Sequence, residues 1–201
     1  MKIGPKYKIA RRLGANIFEK TQTSKFALRS ERKGGKGPYR PKGEFATAML
    51  EKQKVRYSYG VGERQFKKYV KESVAKKGVN TVQALFERLE TRLDNAVYRL
   101  GFASTRQGAR QMVAHGHILV NGKRTNVPSY TLSKGDKISI RSSSTQSPLF
   151  KDLDEKLKKI SFPVWLSYDA DKKVAEVTGT PKHNPTEHLF NLGQVIEFYS
   201  R

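Results

Sequence analysis

The chain has 201 residues, enough for one or two domains, and sets 40 Lys+Arg against 18 Asp+Glu, a formal net charge of +22. A folded body of that charge repels itself, and nucleic acid is its natural partner; a membrane surface fits less well, because neither a long apolar run nor a basic helix with a strong apolar face is read in the sequence. There is no cysteine, which excludes disulfides, thiolate chemistry and Cys-based zinc sites.

The charge is unevenly spread. Residues 1–44 carry 13 basic and 3 acidic groups, residues 45–90 carry 10 and 5, residues 91–141 carry 9 and 2, and residues 142–201 carry 8 and 8. Phosphate contacts are therefore expected in the first three segments, and packing or protein contacts in the last.

Residues 1–44 read as a basic arm. The opening Met1-Lys2-Ile3-Gly4-Pro5-Lys6 has no apolar run of the secretion-signal kind, so a cytoplasmic location is expected. Lys6, Lys8, Arg11 and Arg12 crowd the start, with Tyr7 among them. Glycine and proline over residues 30–43 block helix and interior strand. The arm is expected to order against RNA, its cations replacing released counterions. Gly34-Gly35-Lys36-Gly37 lacks the G-x-x-x-x-G-K-[ST] pattern of a phosphate loop.

Residues 45–90 predict three amphipathic helices. Phe45, Ala48, Met49 and Lys52 share a stripe that ends before Gly60; Phe66, Tyr69, Val70 and Val74 form the next, stopped at Gly78; Val82, Leu85, Phe86 and Leu89 fall at i, i+3, i+4, i+7. Lys52, Lys54, Arg56, Arg64, Lys67 and Lys68 are expected to face outward and touch RNA. The alternative is an ordinary solvated face.

Residues 91–141 predict two short helices feeding a β-hairpin. Leu93, Ala96, Val97 and Leu100 make one apolar stripe, ended by Gly101. Ser104 and Gln107 read as the capping box of a second helix. On that helix Ala109, Met112 and Val113 fall on one side, and Arg106, Gln107, Arg110 and Gln111 on the other. Asn121-Gly122 signals a type I′ turn, with Lys123 and Arg124 at its tip. Together with Arg92 and His115, these residues form a plausible phosphate footprint. Lys134-Gly135-Asp136 reads as a tight turn before a strand over residues 137–141. Tyr130 is open to two readings, a base-stacking residue or a core tyrosine.

Residues 142–147 read as a linker by composition. Residues 148–160 predict a helix with Leu149, Leu153, Leu157 and Ile160 on one face, and residues 173–178 alternate like a strand. The tail from Glu187 is too apolar for a free end and is expected to dock on the helices of residues 45–90.

Two arrangements resemble catalytic or metal sites. His115 and His117 form H-x-H, but a metal site needs a third ligand, and no acidic or cysteine partner is near in sequence. Asp94 is better suited to orienting an arginine or a backbone amide. No nucleophile, metal or cofactor site is expected.

The run Arg92-Leu93-Asp94-Asn95-Ala96-Val97-Tyr98-Arg99-Leu100-Gly101-Phe102-Ala103-Ser104-Thr105-Arg106, and then residues 109–123, resembles the RNA-binding module of the bacterial small-subunit ribosomal protein four family. Glu51-Lys52-Gln53-Lys54-Val55-Arg56, Glu63-Arg64-Gln65-Phe66 and the ending Val195-Ile196-Glu197-Phe198-Tyr199-Ser200-Arg201 resemble the same family, so the likeness spans nearly the whole chain. It implies an α+β fold: a basic arm (1–44), a discontinuous helical domain (45–90, completed by 148–201), an inserted module of two helices and an antiparallel sheet (91–152), and a C-terminal segment (153–201) docking on the helical domain. It implies a non-enzymatic constituent of the small ribosomal subunit that binds the 5′ region of small-subunit rRNA, nucleates assembly and influences decoding accuracy. The implied partners are rRNA, ribosomal protein five, other small-subunit proteins, and mRNA where it enters the subunit, with Lys36, Arg40 and Lys42 near that channel. No homo-oligomer is implied. The competing readings are a stand-alone RNA-binding helper and an RNA-modifying enzyme carrying the same module.

Overall fold

The structure is a computed structural model and describes residues 3–32, 43–150, 153–157 and 160–200. Lys36, Arg40 and Lys42, with most of the Gly/Pro-rich stretch, lie outside the described residues. The helices are α1 (Lys6–Leu13), α2 (Ser24–Arg32), α3 (Glu44–Tyr59), α4 (Glu63–Ala75), α5 (Thr81–Glu90), α6 (Leu93–Arg99), α7 (Arg106–Ala114), α8 (Ser142–Thr145), α9 (Leu153–Leu157) and α10 (Leu192–Ser200). The strands are β1 (Ile118–Val120), β2 (Lys123–Arg124), β3 (Lys137–Ile140), β4 (Leu166–Asp169) and β5 (Val174–Val177). The chain divides into two compact units, one of residues 1–85 and 183–201, the other of residues 86–182.

The first unit is helical. Its start differs from the expected arm, because α1 and α2 are folded helices. Ala10, Leu13, Ile17 and Phe18 are buried together, packed by Ile3, Ile9, Leu50 and Tyr57. The local cause is apolar spacing at near-helical intervals, closed by Gly14 in the left-handed conformation, where its N–H reaches the carbonyls of Ala10 and Arg11. Helices α3 and α4 follow the expected stripes, and Gly60 ends α3 at φ 63°. Two positions differ: Phe45 is exposed at the start of α3, and Val74 is exposed on α4, where Ser73 takes the buried place, its hydroxyl donating to the Tyr69 carbonyl at 2.8 Å. Helix α10 packs on α3 and α4. Leu192 and Val195 are buried, Phe45 meets Phe198 at 5.2 Å between ring centroids, and Phe66 meets Tyr199 at 6.0 Å.

The second unit packs helices on a five-stranded antiparallel sheet of order β2-β1-β3-β5-β4. Leu93, Ala96 and Val97 of α6 and Ala109, Met112 and Val113 of α7 meet Ile118, Val120, Ile138, Ala175 and Val177 from the sheet. Each fully buried large apolar side chain contributes roughly 1.5–3 kcal/mol, so this layer sustains the unit. The cap of α7 is Thr105, one residue later than expected, with its Oγ1 accepting from Gly108 N at 3.0 Å.

Residues beyond the hairpin also differ from expectation. The supposed linker begins with the short helix α8, and the supposed helix over residues 148–160 holds regular helix only at α9 among the described residues. Leu149 is exposed, whereas Phe150, Leu153 and Leu157 join the core of the second unit. Strands β4 and β5 then complete the sheet, Lys137–Ser139 lying opposite Val174–Glu176. The return to the first unit therefore falls at residue 183, not at 153. The cause is long-range strand pairing, which places residues far apart in sequence in one ladder.

Candidate nucleic-acid interface

The interface in the second unit begins at the hairpin. Asn121 and Gly122 have φ of 51° and 77°, as a type I′ turn demands. The Asn121 side chain fixes the turn: Nδ2 donates to Asp136 Oδ1 at 2.8 Å, and Oδ1 accepts from Lys137 N at 2.8 Å. The exposed Lys123 and Arg124 are thereby held on β2, a two-residue edge strand. Arg124 leans back over Gly116, its Nη2 donating to the His115 carbonyl at 3.4 Å. Gly116 has φ 73°, which favours glycine, and a Cβ there would push the Arg124 guanidinium out of this position.

Helix α7 supplies the rest of this face. Arg106 donates through Nε to Asn95 Oδ1 at 2.9 Å, and its guanidinium lies 4.4 Å from the Tyr98 ring centroid. Arg110 Nε is 3.5 Å from Asp94 Oδ2. Gln107, Gln111 and His115 are exposed. Behind this row stands a second layer of charge. The buried Glu90 accepts from Arg99 at 2.9 and 2.8 Å and from the Asn95 amide at 2.9 Å. Asp94, also buried, is bracketed by Arg92 and Arg110. The buried carboxylates and amide thus orient the arginines, while the exposed positive charge remains in excess.

Arg92 does not belong to the contact surface. It is 1% exposed and makes a bidentate pair with Asp94 at 2.9 and 2.7 Å. Its position two residues before Asp94 lets the guanidinium fold back on that carboxylate, so its charge serves the frame. His115 and His117 lie between the end of α7 and the start of β1. Their rings are 6.0 Å apart, His117 Nδ1 sits 2.9 Å from Ser144 Oγ, and no group of three metal-binding side chains occurs among the described residues.

In the first unit the expected strip divides. Lys52 is buried, 3.2 Å from Glu63 Oε1, with its ammonium 4.4 Å from the Phe198 ring centroid. Arg56 lies 2.7 Å from Glu63 Oε2, and Lys54 lies 2.6 Å from Glu51. Lys52 is thus a correction to the outward strip, and Lys54 and Arg56 are half-buried members of ion pairs. The reason is the turn at residues 60–62, which brings Glu63 at the start of α4 back beside the last turns of α3. Burial acts to raise the Glu63 pKa. Hydrogen bonds from Tyr199 and Lys52, with the charges of Arg56 and Lys52, outweigh it and hold the carboxyl below its usual range. Tyr199, donating to Glu63 at 2.7 Å, is pushed upward by burial and by that carboxylate.

Arg64, Lys67 and Lys68 remain exposed on α4, with Lys68 3.7 Å from Glu72. Lys8, Arg11 and Arg12 are exposed on α1, and Lys6 is half-buried with its ammonium 5.7 Å from the Phe18 ring centroid. Sequence reasoning missed Glu90, Asn95 and Glu63 as organising residues. The usable signal was polar residues set against apolar helix stripes, where burial demands partners.

Residues 1–90 match the model of the ribosomal protein S4/S9 N-terminal domain, and residues 91–138 match that of the S4 domain. The chain is 42% identical over 208 residues to the small ribosomal subunit protein uS4 of Aquifex aeolicus, covering 99% of this chain and 98% of that one. It is 45% identical over 204 residues to uS4 of Roseiflexus castenholzii, with coverage of 99% and 98%, and 38% identical over 199 residues to uS4 of Akkermansia muciniphila, with 98% of each chain covered. At this identity over the full length, the chain belongs to the uS4 family of small ribosomal subunit proteins.

Proposed function

We propose that this chain is a structural, non-enzymatic constituent of the small ribosomal subunit, resident in the ribosome and binding its rRNA. The supporting observation is the row Arg106, Arg110 and Arg124, braced from behind by Asn95, Asp94 and the His115 carbonyl. Fixed cations of this kind neutralise backbone phosphates and release counterions. They read the shape of a folded RNA more than its sequence, because A-form grooves hide base edges.

The finer role follows the family resemblance. The chain binds the 5′ region of small-subunit rRNA, nucleates assembly there, and lies in the cytoplasm as part of the ribosome. It contacts ribosomal protein five and other small-subunit proteins. It borders the path by which mRNA enters, through Lys36, Arg40 and Lys42, and so influences decoding accuracy. The basic residues on α1 and α4 extend the grip on the folded RNA.

Footprinting of the purified protein on naked small-subunit rRNA tests this reading. Protection confined to a junction in the 5′ region is expected. Diffuse protection, equal to that given by an unrelated basic protein of similar charge, would refute it.

A further inference from the structure

Two aromatic pairs lie partly open on the surface of the first unit. Phe45, 58% exposed, meets Phe198 in a tilted pair with 33° between the ring planes and is flanked in sequence by Glu44, while Glu197 precedes its partner. Tyr7, 47% exposed, stacks against Phe26 at 5.4 Å with 27° between the ring planes. Exposed cations surround this second pair in the chain: Lys8 follows Tyr7, Arg11 lies one turn further along α1, Arg12 adjoins it, and Lys25 precedes Phe26. Arg11 is drawn to the same spot, its Nε donating to the Tyr7 carbonyl at 3.3 Å.

One face of the Tyr7 ring is covered by Phe26, so what solvent reaches is chiefly the opposite face. A second aromatic holds that ring in place from behind, and exposed cations adjoin both members of the pair in the chain. Protein surfaces that take unpaired nucleotides combine these parts: a π-face for the base and positive charge for the flanking phosphates. The Phe45 pair differs in already holding a cation of its own, the Lys52 ammonium 4.4 Å from the Phe198 ring centroid, with Glu44 and Glu197 beside it in the chain.

We infer that Tyr7 is a stacking platform for one unpaired base of the RNA that this chain binds. Phe26 serves as a positioning residue, and Lys8, Arg11 and Lys25 hold the adjoining phosphates. The inference rests on the rRNA-binding reading above and adds to it a contact with a base rather than with the backbone.

The test uses the full chain with Tyr7→Phe, Tyr7→Leu and Tyr7→Trp, binding naked small-subunit rRNA across a salt series. Tyr7→Phe keeps the ring and is expected to bind like the native chain. Tyr7→Leu keeps an apolar cover on Phe26 without the π-face, and is expected to bind about 5-fold or more weakly at every salt concentration. Its salt slope should stay unchanged, because no charge is lost. A base-specific chemical probe should show a single unpaired base exposed in the Tyr7→Leu complex and protected in the native one. In Tyr7→Trp, the emission added over that of the buried Trp165 should be quenched when RNA binds, a readout independent of how well the leucine variant folds. Native affinity and unchanged base protection for Tyr7→Leu, or added emission in Tyr7→Trp that RNA leaves unquenched, would overturn the platform while leaving rRNA binding intact. Failure of the native chain to bind would instead remove the reading on which the platform rests.

Discussion

Arg106 on α7 donates to Asn95 on α6 at 2.9 Å, and the same Asn95 amide donates to the Glu90 carbonyl at 3.0 Å and to its carboxylate at 2.9 Å. A surface cation is thus tied through one buried amide to a buried acid. An arginine held this way loses less rotamer freedom on binding than a free one.

Replacing Asn95 by Ala should cost about 1–3 kcal/mol of stability, because it leaves buried polar groups without a partner. It should also weaken RNA binding by releasing Arg106. In a background of Arg106→Gln the same substitution should cost stability but no further affinity, the non-additivity that marks one shared interaction. Chemical unfolding and RNA titration of the four chains of the cycle measure both. Additive losses of affinity would show that Asn95 acts by another route.

Arg92 gives the opposite pattern. It is buried with Asp94, so Arg92→Met should destabilise by about 3–5 kcal/mol, the usual cost of breaking a buried ion pair by removing one partner. The salt slope of RNA binding should not change, because Arg92 is 1% exposed and reaches no phosphate. A flattened slope in this variant, measured where it is still folded, would place Arg92 at the interface after all.

The Glu63 cluster predicts an acid limit on the docking of α10. The folded-state pKa of Glu63 lies below the ordinary 4.5, so the carboxylate contributes stability that is present above its unfolded-state value and is lost as pH falls through the folded one. Thermal melting of the native chain and of Glu63→Gln should therefore show a native advantage that is constant above the ordinary 4.5 and shrinks as pH is lowered beneath it. At the alkaline end the raised pKa of Tyr199 has the mirror effect. Its contribution is complete below the ordinary 10.0 and is lost as pH rises beyond it. An advantage that grew on acidification would contradict the assigned sign.

Local pattern carried α3 through α6 and the hairpin, because apolar spacing and glycine stops are written within a few residues of where they act. Gly60, Gly101 and Gly122 all take positive φ, and each was readable from its place after a stripe or an asparagine. The cap at Thr105 was misread by one residue because Ser104 offers the same hydroxyl chemistry. Helix α1 was hidden by the composition of the whole arm, although Ala10, Leu13, Ile17 and Phe18 were spaced for burial. The pairing of Lys137 with Glu176 depends on a contact across 39 residues (176 − 137), which no local window contains. The inward fate of Lys52 was illegible for a related reason. A lysine reads as solvated until its acid is found, and Glu63 lies on the next helix.

The most direct measurement is the salt dependence of binding to naked small-subunit rRNA by the native chain and by a double variant, Arg106→Gln with Arg110→Gln. If these two arginines meet backbone phosphates, affinity falls and the slope of log affinity against log salt flattens by about one to two units. A double variant that folds normally and keeps both the native affinity and the native slope would contradict the placement of RNA on the α7 face.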